Sequence, residues 1–464
     1  MQGLTDNIGE TVVAKSKTVF VCNDCGSEYA KWQGQCNDCQ EWNTLSRLSI
    51  DGGSPARSGF SGQLEPPRKL IDVSAEELPR IQTGIGELDR VLGGGLVHGS
   101  VILISGNPGA GKSTLLIQVM CQLATQRRAL YVTGEESLSQ VAMRARRLGL
   151  PMESLDVMSE TSCERLIMQW NETKPELVVV DSIQVMHTSV NESSPGGVAQ
   201  VRESAAQLIR QAKQTGTVLF LVGHVTKEGS LAGPRVLEHM IDTFVMLEGD
   251  GDSRFRTLRS SKNRFGAVNE LGVFAMTDKG MQEVSNPSAI FLSKSEEATP
   301  GSVVMVVWEG TRPLLLEAQA LVDASALGNP RRVAVGFEHN RLSMLLAILH
   351  RHGGLQVGDQ DVFVNAVGGI RIDETSSDLA LILAVVSSFR NRALPLDLVC
   401  FGEVGLSGEI RPVPNGQERI REAAKHGFKV AIVPEGNKPR QEVSGMKVIP
   451  VRKLSDVLAA LEEL

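Results

Sequence analysis

One glycine-rich loop constrains the fold of this 464-residue chain more than any other feature. The apolar run 101–105 leads directly into Gly106–Ser113, GNPGAGKS, and a segment with helical apolar periodicity follows. A strand, a loop and a helix in this order are the context that a Walker A motif requires. Loop N–H groups hold phosphate oxygens, Lys112 reaches the β- and γ-phosphates and Ser113 binds Mg²⁺. The sequence therefore predicts ATP-binding residues at Gly106, Asn107, Pro108, Gly109, Ala110, Gly111, Lys112, Ser113 and Thr114.

Further apolar strands end in polar residues that are candidates for the same site. Leu177–Asp181 has the Walker B form, in which Asp181 holds Mg²⁺ through water, although such an aspartate also suits a turn or cap. A second strand precedes Glu135 and Glu136, either of which is a candidate to orient and deprotonate the attacking water. A third ends at His224, which is either structural or a γ-phosphate sensor. Strands alternating with helices predict a mostly parallel sheet, with the ligand at the strands' carboxyl ends.

The N-terminal region carries two Cys-x-x-Cys pairs, formed by Cys22, Cys25, Cys36 and Cys39. Two such pairs joined by a short hairpin can surround one tetrahedral Zn²⁺ ion, and the alternatives are redox disulfides or unrelated thiols. Three aromatic residues nearby either pack over this small module or stack on bases: Tyr29, Trp32 and Trp42.

Charge is distributed unevenly along the chain. The formal net charge is −7 and the pI about 5.8, so no chain-wide basic surface marks a nucleic-acid binder. The densest basic run has no intervening acid and consists of Arg254, Arg256, Arg259, Lys262 and Arg264. It is either a solvated strand, a set of contacts to DNA phosphates, or the source of a finger that Lys262 or Arg264 inserts beside a neighbouring subunit's γ-phosphate.

Cysteine usage and hydropathy predict a cytoplasmic protein. Cys121, Cys163 and Cys400 lie singly in apolar surroundings, which is typical of buried reduced thiols. The N-terminus has no apolar signal core, and no apolar run approaches the roughly 20 residues that span a bilayer.

Two motifs carry a resemblance to known families. Thr83–Leu96, TGIGELDRVLGGGL, resembles the lead-in of RecA-like ATPases and their KaiC and replicative-helicase relatives. Lys262–Gly266, KNRFG, together with the cysteine quartet, is similar to the bacterial RadA family, also called Sms. The resemblance implies that Glu135 is the catalytic glutamate, with Glu136 as its neighbouring alternative. It also implies that the loops after Asp181 and His224 face DNA, which adds Lys227 and Arg235 to the candidate DNA contacts.

The C-terminal region resembles the proteolytic domain of Lon, whose chemistry pairs a serine with a lysine. In that alignment Ser376 takes the place of the nucleophile, but Gln417 stands where the lysine should be. An amide cannot accept the serine proton at neutral pH, so we expect no peptidase activity. We expect Ser376 to cap the helix 377–389, with Asp378 supporting its N-terminus. Several cations form either a basic surface or scattered solvated charges: Arg331, Arg332, Arg341, Arg351, His352 and Arg371.

The expected fold class is α/β, with a RecA-like P-loop ATPase core that has a mostly parallel sheet. A zinc-ribbon-like module precedes the core and an α/β Lon-protease-like domain follows it. The expected boundaries are 1–45 for the zinc module, 46–75 for a flexible linker, 76–285 for the ATPase domain and 286–464 for the Lon-like domain.

The RadA resemblance implies a DNA-dependent ATPase of recombinational repair. Such a protein moves on single-stranded DNA as a hexameric ring, promotes branch migration on branched DNA and works with the RecA recombinase. The alternatives are an ATP-assembled DNA-binding scaffold without motor activity and an ATP-dependent protease, and Gln417 argues against the protease. ATP turnover that rises with single-stranded DNA separates the motor from the scaffold.

Overall fold

The structure is a computed structural model that describes residues 17–22, 27–50, 79–224, 237–249, 254–284, 286–288, 292, 297–325 and 329–464. The chain folds as two compact units, Met1–Glu283 and Val284–Leu464. Most of the expected linker, 46–75, lies outside the described residues.

The N-terminal part of the first unit is a small antiparallel sheet with strand order β2-β1-β3. Its strands are β1 (Lys17–Cys22), β2 (Glu28–Tyr29) and β3 (Leu45–Ile50). The buried residues at its centre are Cys22, Cys36 and Leu45. Two of these three are cysteines, so this core is too small to be stable by apolar burial alone and suits a metal-stabilised module.

The larger part of the first unit is a nine-stranded sheet with order β14-β13-β12-β11-β6-β10-β9-β7-β8. The six strands from β11 to β8 in this order are parallel, whereas β12, β13 and β14 extend the sheet in antiparallel fashion. The strands are β6 (Val101–Gly106), β7 (Ala129–Thr133), β8 (Asp156–Ser159), β9 (Leu177–Asp181), β10 (Val218–Val222), β11 (Thr243–Glu248), β12 (Phe255–Asn263), β13 (Leu271–Thr277) and β14 (Gly280–Glu283). The mostly parallel sheet predicted for the ATPase core is confirmed. A separate two-stranded ribbon precedes it, formed by β4 (Arg80–Ile81) and β5 (Leu96–Val97).

Helices cover both faces of this sheet because alternate strand residues point to opposite sides. Along β6, Ile102 and Ile104 join one apolar cluster, whereas Val101 and Leu103 join the other. The first cluster includes residues of α1 (Gly86–Val91), α2 (Lys112–Ala124) and α3 (Leu138–Arg147). The second includes residues of α4 (Cys163–Thr173) and α5 (Val198–Thr215). A strand buried on both faces has a nearly unbroken apolar sequence, as β6, β9 and β10 do.

Local signals fix where the helices begin and end. Ser137 and Gln140 form a capping box at the start of α3, in which the Ser137 Oγ accepts from the Gln140 N–H at 3.3 Å. Gly216 ends α5 with φ of 70°, a left-handed conformation that glycine adopts without strain.

The second unit contains a seven-stranded mixed sheet with order β17-β18-β16-β15-β19-β22-β23. Its strands are β15 (Ser302–Glu309), β16 (Arg312–Ala324), β17 (Arg332–Val335), β18 (Gln360–Ala366), β19 (Leu398–Cys400), β22 (Val430–Pro434) and β23 (Lys447–Val451). A separate two-stranded ribbon consists of β20 (Glu403–Val404) and β21 (Ile410–Arg411). Its helices are α6 (His339–Gly353), α7 (Asp378–Phe389), α8 (Gly416–Lys425) and α9 (Leu454–Glu462).

None of the described helices is long and apolar enough to cross a membrane. Cys121, Cys163 and Cys400 are buried free thiols, as expected. Burial raises the pKa of the Cys121 and Cys163 thiols to about 11, so both are inert at neutral pH.

Candidate active site

The glycine loop joins the end of β6 to the start of α2. Gly106 packs so closely on β11 that a Cβ would lie 2.2 Å from the Leu247 carbonyl oxygen. Gly111 precedes the helix with φ of 106° and has the Met276 side chain directly against it. Only glycine fits either position without strain. Asn107, Pro108 and Gly109 are exposed, whereas Ala110 is buried beneath the loop.

Lys112 is the first residue of α2, and its ammonium group is buried in the loop. Its Nζ donates to the carbonyl oxygens of Gly106 at 2.8 Å and Asn107 at 3.0 Å. Burial lowers the pKa of Lys112, while the nearby charges of Asp181 and Glu135 oppose that change. The loop therefore holds a cation facing two carboxylates. Ser113 and Thr114 follow it in the first turn of α2, and both are partly exposed.

Asp181 ends β9 at the same edge of the sheet. Its Oδ2 accepts a hydrogen bond of 2.6 Å from the Tyr131 hydroxyl of the neighbouring strand β7. Tyr131 is 1% exposed, so a buried donor fixes one oxygen of this carboxylate.

The adjacent residues Glu135 and Glu136 point to different partners. Glu136 forms an ion pair with Arg144 of α3. Glu135 instead accepts from the Ser182 hydroxyl and, at 3.2 Å, pairs with the His224 Nε2. The His224 hydrogen bond and that of Ser182 outweigh the opposing effect of burial and lower the pKa of Glu135 to about 2. Of the two candidates, only Glu135 lies with Lys112 and His224.

The basic run does not form one surface. Arg254 is exposed and Arg259 is half-buried, but Arg256 is only 4% exposed. The Arg256 Nε donates to the carbonyl oxygen of Ala110 at 3.1 Å. The expectation that Arg256 contacts DNA is therefore corrected, because its guanidinium group is packed against the nucleotide loop of its own chain.

Lys262 and Arg264 lie at the opposite end of the sheet from the glycine loop. Asn263 of β12 pairs with Thr243, which pairs with Ile102, whereas Gly106 lies four residues further along β6. At about 3.3 Å per residue this places the KNRFG motif about 13 Å along the sheet from the start of the loop.

Both cations of the motif contact nearby groups of their own chain. The Lys262 Nζ donates to the Glu238 carbonyl oxygen, and burial together with the Arg264 charge lowers the pKa of Lys262. The Arg264 side chain is 57% exposed and lies 3.5 Å from an Asp242 carboxylate oxygen. That carboxylate also accepts from the Val101 backbone N–H at 2.9 Å and pairs with Lys213.

Three of the four predicted zinc ligands converge. The Sγ atoms of Cys22, Cys36 and Cys39 lie within 4.8 Å of one another, and those of Cys22 and Cys39 are 3.5 Å apart. Thiolates around one tetrahedral zinc ion are about 3.8 Å apart when each bond is about 2.3 Å, so this cluster fits the ion. Cys25 lies outside the described residues.

The three aromatic residues of the zinc module differ in role. The Tyr29 hydroxyl lies 3.2 Å from the Cys36 Sγ and donates to Asp38 at 3.0 Å, so Tyr29 packs within the module. Trp32 and Trp42 are 57% and 67% exposed, and their rings flank Gly34.

The C-terminal unit differs from expectation at Ser376. This side chain does not cap α7: Ser376 lies in a 3₁₀ turn before the helix and is fully buried. Its Oγ donates to Glu374 at 2.7 Å, and Arg419 lies 3.2 Å from the same oxygen. The Gln417 side chain does not contact Ser376: its amide nitrogen lies 3.3 Å from the Asn437 carbonyl oxygen.

Part of the expected basic surface in this unit is structural. Arg341 pairs with the buried Asp378 at the start of α7, and Arg331 pairs with Asp361 at 2.7 Å. Burial raises the pKa of Asp378, and Arg341 opposes that shift. These two arginines therefore form ion pairs within the C-terminal unit.

Sequence reasoning missed Tyr131, Ser182 and Arg419 as members of these clusters. Tyr131 is one of two tyrosines and lies between aliphatic residues in a buried strand, where its hydroxyl needs a partner. Arg419 lies on the same face of α8 as the buried residues Ile420 and Ala423. Helical periodicity therefore indicates that its side chain is buried as well. Lys227 and Arg235 lie outside the described residues.

Comparisons with known proteins agree with this architecture. A model described as rubredoxin metal binding domain matches residues 20–47, and one described as AAA domain matches residues 65–230. A model described as subunit ChlI of Mg-chelatase matches residues 328–437, within the unit expected to be Lon-like.

Curated relatives match this chain over nearly its whole length. DNA repair protein RadA of Escherichia coli is 64% identical over 97% of this chain and 99% of its own length. The proteins of that name from Pseudomonas aeruginosa and Bacillus subtilis are 61% and 46% identical, over 97% and 96% of this chain and 100% and 99% of their own. At this identity and coverage, the chain belongs to the RadA family of DNA repair proteins.

Proposed function

We propose that this chain is a DNA-dependent ATPase of recombinational repair that moves on single-stranded DNA and promotes branch migration and processing of recombination intermediates. One observation carries the ATPase assignment: Lys112, Asp181 and Glu135 converge at the carboxyl end of the parallel sheet, the usual ligand edge of such folds. The role in DNA repair rests on the names of the relatives.

Each residue of the site has a distinct role in the proposed hydrolysis. The loop N–H groups and Lys112 bind the phosphates, and Lys112 stabilises the charge that develops on the γ-phosphoryl oxygens. Glu135 orients the attacking water, and His224 contacts the Glu135 carboxylate.

Ser113 and Asp181 would hold Mg²⁺, since both offer the oxygen ligands that this ion prefers and Asp181 keeps one oxygen outside its bond to Tyr131. The ion supplies positive charge to the β- and γ-phosphates when bound.

The proposed assembly is a hexameric ring in which Lys262 or Arg264 acts on a neighbouring subunit's nucleotide. Their position far from the glycine loop of their own chain supports action in trans. Arg254, Arg259, Lys227 and Arg235 are proposed DNA contacts, and contact with DNA is also open to Lys262 and Arg264. The RecA recombinase is the proposed protein partner.

We propose that the C-terminal unit is not a peptidase, and Gln417 and the buried Ser376 support this. Cys25 would complete the zinc site with Cys22, Cys36 and Cys39. The buried reduced thiols support action in the cytoplasm.

ATP turnover with and without single-stranded DNA tests the proposal. We expect DNA to stimulate the wild type and Lys112→Ala to lose turnover while keeping its fold. Turnover that persists in Lys112→Ala would show that the glycine loop is not the working site. Turnover that DNA does not change would favour the scaffold alternative.

A further inference from the structure

Ser182 and His224 both act on a single atom of Glu135. The Ser182 hydroxyl donates to Oε1, and the His224 Nε2 lies 3.2 Å from the same oxygen. Among the described residues, the other oxygen, Oε2, has no hydrogen-bond partner. Ser182 is fully buried, so its hydroxyl is fixed in this direction.

A carboxylate held in this way is suited to orient a water molecule and is a weak proton acceptor. Two donors on one oxygen fix the plane of the group and leave the second oxygen to face a ligand. The same hydrogen bonds weaken Glu135 as a base, because they stabilise its charged form. In a loose phosphoryl-transfer transition state, positioning of the water contributes more than early removal of its proton.

The two donors come from the ends of neighbouring parallel strands. Ser182 directly follows β9, and His224 lies two residues after the end of β10. Both donors are therefore positioned by the same parallel sheet that carries the glycine loop.

We infer that Ser182 and His224 are positioning residues that aim Glu135 at the attacking water. The inference rests on the proposed function, because it takes Glu135 as the group that orients water. It assigns a role to Ser182, and it places the action of His224 on Glu135 of the same chain.

Steady-state ATP turnover with saturating single-stranded DNA tests this in the full-length protein. We expect Ser182→Ala and His224→Ala each to lower kcat by about 10-fold to 100-fold, the range that a misplaced catalytic group costs, with KM for ATP changed less than about threefold. His224→Gln keeps an N–H donor and should recover most of the lost kcat. Ser343→Ala is the matched control, since Ser343 is an exposed serine of the C-terminal unit whose hydroxyl donates to the His339 carbonyl oxygen.

Several outcomes would overturn the inference. One is kcat within about twofold of the wild type in both alanine variants while Lys112→Ala is inactive, which would leave the proposed function intact. Another is equal loss in His224→Gln and His224→Ala with unchanged melting temperatures, which would mean that the hydrogen bond is not what matters. Persistent turnover in Lys112→Ala would instead refute the proposed function itself.

Discussion

Two adjacent glutamates show how much the surroundings of a residue decide its chemistry. Glu136 is paired with Arg144, whereas Glu135 lies beside Lys112, Ser182 and His224. The depressed pKa of Glu135, about 2, keeps the carboxylate charged at every pH at which the protein would be assayed. Protonation of Glu135 should therefore contribute no acid limb to the turnover profile between about pH 5 and 8.

Glu135→Gln should reduce ATP turnover by about 100-fold or more, because the neutral amide no longer supplies the charged acceptor that orients the attacking water. Glu136→Gln removes an ion pair on a partly exposed surface and should cost less than about 10-fold. Both variants have the same change in size and charge, so each controls for the other. Equal losses, or a larger loss at Glu136, would show that the wrong glutamate has been assigned.

Some of these residues were predictable from the sequence for physical reasons. Lys112 follows a strand and a glycine loop, and Asp181 lies at the end of a buried strand. In both positions the local backbone pattern alone predicts where the side chain lies. The sequence could not separate Glu135 from Glu136, because neighbouring residues after a strand point in different directions. Arg256 was misassigned because charge was given more weight than strand alternation, which places it on the same side as buried Leu258.

A single arginine on α8 connects three elements of the C-terminal unit. Arg419 is fully buried and donates to the Val306 carbonyl oxygen of β15 at 2.7 Å, while also pairing with Glu374 before α7. Its guanidinium carbon lies over the rings of Trp308 and Phe401, at 5.8 and 5.7 Å from their centroids. No sequence motif predicts this network, because its members are far apart in the sequence.

Arg419→Ala should lower the free energy of unfolding of the C-terminal unit by about 3 kcal/mol or more, because Glu374 loses its charged partner in a largely buried site. Arg421→Ala, on the exposed side of the same helix, should change it by no more than about 0.5 kcal/mol. Urea unfolding of both variants measures the difference. Equal stabilities would mean that the buried network is not structural.

The zinc module has too little apolar core to fold on packing alone, so its metal ligands should determine its stability. Serine in place of Cys22, Cys25, Cys36 or Cys39 should release about one zinc ion per chain, since three thiolates bind the ion much less tightly. Metal analysis measures this, with Cys121→Ser as a control that keeps its zinc. We expect DNA-independent ATP turnover to survive. Full zinc retention in all four variants would contradict the assignment.

At the scale of the whole molecule, one chain carries the two halves of the proposed catalytic apparatus at opposite ends of one sheet. Lys112 lies at the carboxyl end of the parallel strands, and Lys262 and Arg264 lie at the other. The sequence predicted both groups but not this separation, because strand direction and register appear only when β11 and β12 are paired. An assembly that brings one end against the neighbour's other end would complete each site.

Mixed rings test this arrangement. Lys262→Ala and Lys112→Ala subunits should each be defective alone, and mixing them should partly restore DNA-stimulated ATP turnover. Some interfaces then combine an intact glycine loop with an intact finger. Failure to recover activity in rings whose mixing is verified would leave DNA contact as the better account of Lys262.

The central claim is that ATP turnover at the Lys112 site moves DNA. Branch migration of a synthetic three-strand intermediate, followed with time in the presence of ATP, tests it most directly. The account predicts that the wild type extends the heteroduplex with ATP but not with a non-hydrolysable analogue, and that Lys112→Ala binds the DNA without extending it. Extension by Lys112→Ala at the wild-type rate would contradict the claim.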